Sequence, residues 1–347
     1  MRWASATGEP GDGRDLTLRW GLVGPGRSAD TLVAPAIAAD PNSELCWVVG
    51  RDQVRAEAFA KKHGLPRSGT SYESMLSDPA IDAVVITTPN AQHPDQVAAA
   101  ARAGKHVLCD KPLGPTEAEA ARALDACRMA GVKLGMNFQT RRHSCFVEAR
   151  RVIHSGAIGE VRLIQVDASP GDVPHSGWRA QPALASRGAM NNIAIHIYDL
   201  LCYLLDSEVT EVAALLDTGQ AADLERMPLV LLRFASGALA FANGNQLTPM
   251  PLNDIVIHGT RGRIDGRGIT RPQTTGSMRV VTAETEVTSS FSSQDCYEAT
   301  LGAFTADVLA GRDPSPSGLD GLRSVQLTDA IARAARERRV IQIPIRW

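Results

Sequence analysis

Residues Leu18 to Ala29 read LRWGLVGPGRSA: an apolar run with the character of a strand, a glycine-rich turn, and the start of a helix from about Arg27. A second apolar run, ELCWVVG (44–50), and the helix pattern QVRAEAFAKKHG (53–64) follow, which makes a strand–helix–strand unit. The turn matches G-x-G-x-x-A at Gly24, Gly26 and Ala29. Such a turn suits a dinucleotide: the first glycine permits the tight bend, the second lets the backbone approach a pyrophosphate, and the alanine allows the helix to pack closely. Arg27 and Ser28 lie inside the motif, where the helix amino terminus would receive the anion.

The alternation continues. A short strand near Ser68–Thr70, the helix YESMLSD, the strand IDAVVITTP, the helix HPDQVAAAARAG and the strand HVLCDKP predict a parallel sheet covered on both faces. Ligands of such sheets bind beyond the carboxyl ends of the strands. At the end of the second strand, where an NAD-binding chain usually places Asp or Glu, stand Gly50 and Arg51. A carboxylate there would repel a 2′-phosphate, whereas a guanidinium can grip it, so NADP(H) is favoured over NAD(H). Asp52 could still serve a ribose, and Arg51 could be an ordinary exposed charge.

A chain of 347 residues exceeds one ordinary core and predicts about two domains. With 44% hydrophobic and 21% charged residues and a net charge of −2, it carries no global basic field of the kind that binds nucleic acid or an anionic membrane. No apolar run approaches the roughly 20 residues of a membrane span, and MRWASATGEPGDGRDL at the start lacks a secretion signal's apolar segment. A cytoplasmic protein is expected. The six cysteines form no metal-ligand spacing and read as reduced, buried thiols; no metal site is expected.

From the fingerprint through TPNAQH (88–93), CDKP (109–112) and RGAMNNIAIHIYD (187–199) to the terminal GLDGLRSVQLTDAIARAARERRVIQIP (318–344), the chain resembles the glucose-fructose oxidoreductase, inositol dehydrogenase and rhizopine-catabolism (Gfo/Idh/MocA) family. The resemblance implies an α/β Rossmann domain followed by an α+β domain with a large, mostly antiparallel open sheet. Residues 1–17 are expected to form a flexible tail, 18–138 the dinucleotide-binding domain and 139–347 a substrate-binding and oligomerisation domain. In the second part EVRLIQVDAS, EVTEVAALLD, LVLLRFASGALAFANGNQL, NDIVIHGTRGRIDGRG and MRVVTAETEVTSS read as sheet. Such a sheet needs its open face covered, so a homodimer or homotetramer is expected.

The family commonly carries Glu-Lys-Pro after the fifth strand, where this chain has Asp110, Lys111 and Pro112. The resemblance assigns catalysis to Lys111, and the end of a parallel strand is where a lysine would meet the cofactor crevice. It also implies a D-x-G-x-H helix beside the reacting carbinol; here the pattern is Asn192-x-Ala194-x-His196. At i and i+4 the two side chains face one cleft, so His196 can exchange the hydroxyl proton while Asn192 only orients. Asp199, three residues on, extends the same polar stripe.

Thr88, Pro89, Asn90 and His93 follow the fourth strand at the cofactor end; His93 is expected to border the nicotinamide ribose, although a helix-start hydrogen bond explains it equally. Arg141 lies in NFQTRRH, which resembles a family segment whose arginine contacts substrate; Arg142 beside it offers a second register, and either could be an ordinary helix-start charge. Trp178 and Arg179 precede the His196 helix, where an aromatic face and a fork of donors suit a sugar; a packed tryptophan with a solvated arginine is the alternative. The function expected is an NADP(H)-dependent oxidoreductase of a sugar, polyol or sugar derivative. The alternatives are a nicotinamide-dependent glycosidase with transient oxidation and a non-enzymatic NADP(H)-binding sensor.

Overall fold

A computed structural model describes residues 17–218, 224–271, 275–291 and 296–344. The expected tail, Thr17 apart, lies outside the described residues. The first sheet contains β1 (Leu18–Val23), β2 (Ser43–Val49), β3 (Arg67–Gly69), β4 (Ala83–Ile86), β5 (His106–Cys109) and β6 (Leu134–Met136), all parallel, in the order β3-β2-β1-β4-β5-β6. This is the doubly wound order whose crevice opens between β1 and β4, beyond their carboxyl ends. The sequence dictates its helices locally. Asp52, Ser71 and Thr116 cap three of them by accepting the N–H three residues on, and Gly64 and Gly131 end two in the left-handed region. After the fingerprint the helix widens into a π turn at Ala29–Val33 before Ala34–Ala39. Pro35 has no N–H for the regular ladder, and the wide turn absorbs the missing bond.

The second sheet has nine strands: β7 (Val161–Ala168), β8 (Val209–Leu216), β9 (Pro228–Phe234), β10 (Leu239–Gly244), β11 (Ile255–Gly259), β12 (Gly262–Arg267), β13 (Gly276–Thr282), β14 (Glu286–Phe291) and β15 (Ile341–Gln342). Their order is β14-β13-β12-β11-β7-β10-β9-β8-β15, antiparallel except between β7 and β10. One face buries Ile164, Val166, Val230, Leu232, Ala240 and Ile257 against the helices Ser144–His154 and Ile195–Leu205. The other face exposes Leu215, Leu231 and Phe241 on adjacent strands.

Helices from the carboxy-terminal part of the chain pack on both cores. The helix Cys296–Leu309 returns to the first sheet, where Leu301, Phe304 and Val308 join Trp20, Leu22 and Ile37 in one core; Trp20 and Phe304 have ring centroids 5.3 Å apart. The helix Gly318–Glu337 straddles both: Leu322 and Val325 pack in the first core, Leu327, Ile331 and Ala334 in the second. The carboxy-terminal helices therefore lock the sheets together and hold the cleft between them.

Candidate active site

A cleft of about 470 Å³ runs from Gly26, Arg27 and Ser28 at the β1 turn to Lys111 and His196. Gly24 sits at φ +95°, where an added Cβ would also lie 2.9 Å from Thr88. Above Gly26 an added Cβ would meet only one atom, the Gly24 carbonyl at 3.9 Å, so the backbone is open to an approaching ligand. The helix starts at Arg27, with the Asp30 N–H bonded to the Gly26 carbonyl at 2.9 Å, and the N–H groups of its first turn precede the regular ladder, where an anion can take them. The turn thus fits a dinucleotide pyrophosphate.

At the other end the peptide before Pro112 is cis, and the Lys111 ammonium donates to the carbonyls of Asn191 and Asn192 at 3.0 and 3.1 Å. Those carbonyls belong to a π turn, Met190–Ala194, that opens the helix carrying His196; wide turns of this kind recur at functional sites. Burial brings the Lys111 pKa down to about 8, with Asp110 opposing and Arg179 and Arg271 adding to the depression. Asp110 accepts from the Lys111 N–H at 2.9 Å and so shapes the backbone at the lysine.

His196 lines the same cleft, its ring edge-on to Phe138 with centroids 6.2 Å apart. Its buried Nδ1 has no hydrogen-bond partner among the described residues. Burial, reinforced by the charges of Lys111 and Arg271, holds its pKa well below the usual histidine value, so the imidazole is neutral. Asn192 donates from Nδ2 to Gln246 Oε1 at 3.0 Å. Two further polar atoms at the cleft, Gln139 Oε1 and Asn191 Oδ1, are buried without partners among the described residues, as expected of a site shaped around a ligand.

The structure gathers Gly26, Arg27, Ser28, Thr88, Asn90 and Asp110 along the cleft, and Lys111, Trp178, Arg179, Asn192 and His196 at its far end. Arg179 stacks on Trp178 with its guanidinium carbon 4.3 Å from the ring centroid. Asn90 is partly engaged, donating to the Ala185 carbonyl at 2.8 Å. Gly24, Ala29 and Pro89 support the walls from outside the lining, and Gly50 packs so closely on Pro25 that a Cβ there would fall 2.8 Å from its ring. Arg51 is exposed at the end of β2.

Two expectations are corrected. His93 does not border the cleft: it is buried, with its ring nitrogens 2.7 Å from the Pro112 carbonyl and 2.9 Å from that of Thr88, tying the segments after β4 and β5 together from inside. Arg141 does not reach the cleft either. Its guanidinium donates twice to Asp199, at 2.7 and 2.5 Å, lies 3.0 Å from Asp320, and faces a separate cavity of about 380 Å³. Asp199 is accordingly drawn to Arg141 and lines that second cavity, whereas His196, three residues before it on the same helix, lines the cleft. Residues the sequence does not single out include Thr87, which anchors the Gly24 turn through the Val23 and Gly24 carbonyls, and Gln246, Arg271 and Tyr297, brought to the cleft from distant parts of the second domain.

Comparison with known proteins agrees with this architecture. Residues 18–138 match an oxidoreductase family with an NAD-binding Rossmann fold, and residues 146–265 match the Gfo/Idh/MocA C-terminal domain. The 1,5-anhydro-D-fructose reductase of Ensifer adhaerens is 32% identical over 91% of this chain and 96% of its own. The inositol 2-dehydrogenase of Rhizobium meliloti (strain 1021) is 31% identical over 94% of this chain and all of its own, 100%. Among solved structures, the aldose-aldose oxidoreductase from Caulobacter crescentus complexed with glycerol superposes with a TM-score of 0.87 at 28% identity, covering 94% of this chain and 99% of that one. With both halves matched and relatives aligned almost end to end, the chain belongs to the Gfo/Idh/MocA family of oxidoreductases and is an enzyme acting on CH–OH groups.

Proposed function

We propose that this enzyme moves hydride between NADP(H) and a secondary alcohol or ketone carbon of a sugar, polyol or sugar derivative, with Lys111 and His196 handling the proton on oxygen. The observation that carries the reading is the pairing of an ammonium held by two carbonyls with a neutral imidazole, whose Nδ1 has no partner among the described residues, in a cleft that begins at a dinucleotide turn. When bound, the nicotinamide nucleotide supplies or accepts the hydride.

Lys111, with a pKa near 8, gives a proton to the carbonyl oxygen in reduction and, once neutral, takes it from the hydroxyl in oxidation. Neutral His196 accepts a hydrogen bond from the substrate hydroxyl and orients it. Asn192, tied to Gln246, fixes the turn whose carbonyls hold the lysine. Arg27, Ser28 and the Gly26 backbone hold the pyrophosphate. Arg51 favours a 2′-phosphate, and Asp52, the nearest carboxylate at this strand end, is engaged as a helix cap on the Arg55 N–H at 3.1 Å. The named relatives reduce or oxidise anhydrofructose, inositol and aldoses, which supports a sugar or polyol here. The apolar outer face of the second sheet supports a homodimer or homotetramer.

Thermal unfolding with NADP+, NADPH, NAD+ and NADH tests the cofactor part. A ligand at a hundred times its dissociation constant adds about 2.7 kcal/mol, roughly 2–4 °C in a chain of this size. The reading predicts the larger shifts with the phosphorylated pair, followed by turnover of a ketosugar with NADPH. Larger shifts with the NAD(H) pair would contradict the preference.

A further inference from the structure

The reacting end of the cleft is strongly cationic. Lys111, Arg179 and Arg271 line it together, and Arg187 stands nearby with its charge met by Asp329. Asp110 is the one carboxylate among the described lining residues, and its Oδ1 is already taken by the Lys111 N–H. Arg179 and Arg271 come from different parts of the second domain, before the His196 helix and after β12, yet both stand close enough to Lys111 to act on its charge. The Arg179 guanidinium has only the Trp178 ring beneath it and no hydrogen bond or ion pair among the described residues. Burial works against its charge and that of Arg271, as it does for Lys111. Three clustered, desolvated cations repel one another, and an anion between them relieves the repulsion and gives the Arg179 guanidinium an acceptor.

A neutral sugar does not meet that need. Its hydroxyls can serve the acceptors Gln139 Oε1 and Asn191 Oδ1, but they bring no negative charge to the three cations. Guanidinium forks match a planar carboxylate or a phosphoryl group, whose oxygens only accept. The cofactor's own phosphates are drawn to the opposite end, where Gly26, Arg27 and Ser28 open the turn.

We infer that the substrate is an anionic sugar derivative, whose carboxylate or phosphoryl group is held by Arg179 and Arg271 while the neighbouring carbinol or ketone carbon faces Lys111 and His196. This rests on the sugar oxidoreductase reading above and narrows it.

The test is calorimetric titration of the NADP+-loaded enzyme with D-glucuronate, D-glucose 6-phosphate and D-glucose, repeated on Arg179→Gln and Arg271→Gln, with turnover followed separately by nicotinamide absorbance. At least one anionic sugar should bind about tenfold or more tightly than glucose. Each glutamine variant should weaken that binding by about tenfold to a hundredfold, the range of a charged hydrogen bond, and narrow the gap to glucose. The choice between glucuronate and the phosphate identifies the oxyanion. Glucose binding as tightly as both anionic sugars overturns the inference, and so do variants that lose NADP+ binding while keeping the wild-type preference among sugars, which would assign the arginines to the cofactor. Anion-selective binding that depends on the arginines, without hydride transfer to or from any sugar, would uphold this inference and instead overturn the assignment of sugar oxidoreduction.

Discussion

Replacing Arg141 by methionine removes one cation from between two carboxylates that have little water of their own. The Arg141 and Asp199 side chains are 8% and 2% exposed, and that of Asp320 is 23% exposed. Methionine keeps much of the arginine's apolar stem, so the loss is chiefly electrostatic, and breaking a buried pair from one side costs about 3–5 kcal/mol. Unfolding entropy over 347 residues amounts to about 0.7 kcal/mol per kelvin, which converts that cost into a fall of about 4–7 °C in the unfolding midpoint. Differential scanning calorimetry near neutral pH reads it directly. Arg339→Met is the control: its pair with Glu337 is exposed, and the midpoint should move by about 1 °C or less. The pH dependence adds a sign. Burial pushes the Asp199 carboxyl up to about 6 even with Arg141 beside it, and losing the arginine raises it further. A carboxyl raised in the folded state binds its proton more tightly folded than unfolded, so the variant regains stability as pH falls through the folded value. A midpoint within about 1 °C of wild type, or a deficit that widens on acidification towards the unfolded value of about 3.9, would refute the reasoning.

Lys111→Met and His196→Asn should each lower kcat by about a hundredfold or more while NADP+ still shifts the unfolding midpoint. If Lys111 is the acid, the rate of reduction falls as pH rises through about 8 and the rate of oxidation rises over the same interval; Lys111→Met should abolish that limb, whose position also reflects Asp110, Arg179, Arg271 and neutral His196. Arg51→Ala should raise the Kd for NADP+ by about tenfold or more and shrink the preference over NAD+, as read by fluorescence titration. Sedimentation at micromolar concentration should show a dimer or tetramer, and Leu231→Glu with Phe241→Glu should yield monomer if the exposed sheet face is the contact.

What the sequence makes legible is what local chemistry decides. The parallel sheet follows from alternating apolar runs and helix patterns, and the Gly24–Ala29 turn and Lys111 fall on the carboxyl ends of strands, where topology alone aims them at the crevice. The long runs of the second domain break where turn chemistry says they should: Gly237, at φ +86°, lies between β9 and β10. Long-range geometry is not legible in this way. Arg141 reads as a cleft arginine until two helices, Ile195–Leu205 and Gly318–Glu337, bring Asp199 and Asp320 to it from 58 and 179 residues away. His93 reads as a cofactor contact because it starts a helix at the right end of the sheet; its ring turns inward to carbonyls of two different loops. Asp199 reads as part of the His196 stripe by helical spacing, and its buried pair with Arg141 places it at the other cavity instead. Arg271 and Tyr297 stand outside any motif: the loop after β12 delivers Arg271, and the helix Cys296–Leu309, returning to the first sheet, delivers Tyr297.

The most direct test of the central claim follows the hydride itself. The enzyme is supplied with NADPH carrying deuterium at the transferable nicotinamide position and a panel of neutral and anionic ketosugars, and the products are read by NMR. Deuterium should appear on the newly formed carbinol carbon, one per NADPH consumed, with the transfer suppressed about a hundredfold in Lys111→Met and His196→Asn. Sugar release with no net NADPH consumption, or transfer that proceeds unchanged in both variants, would contradict it.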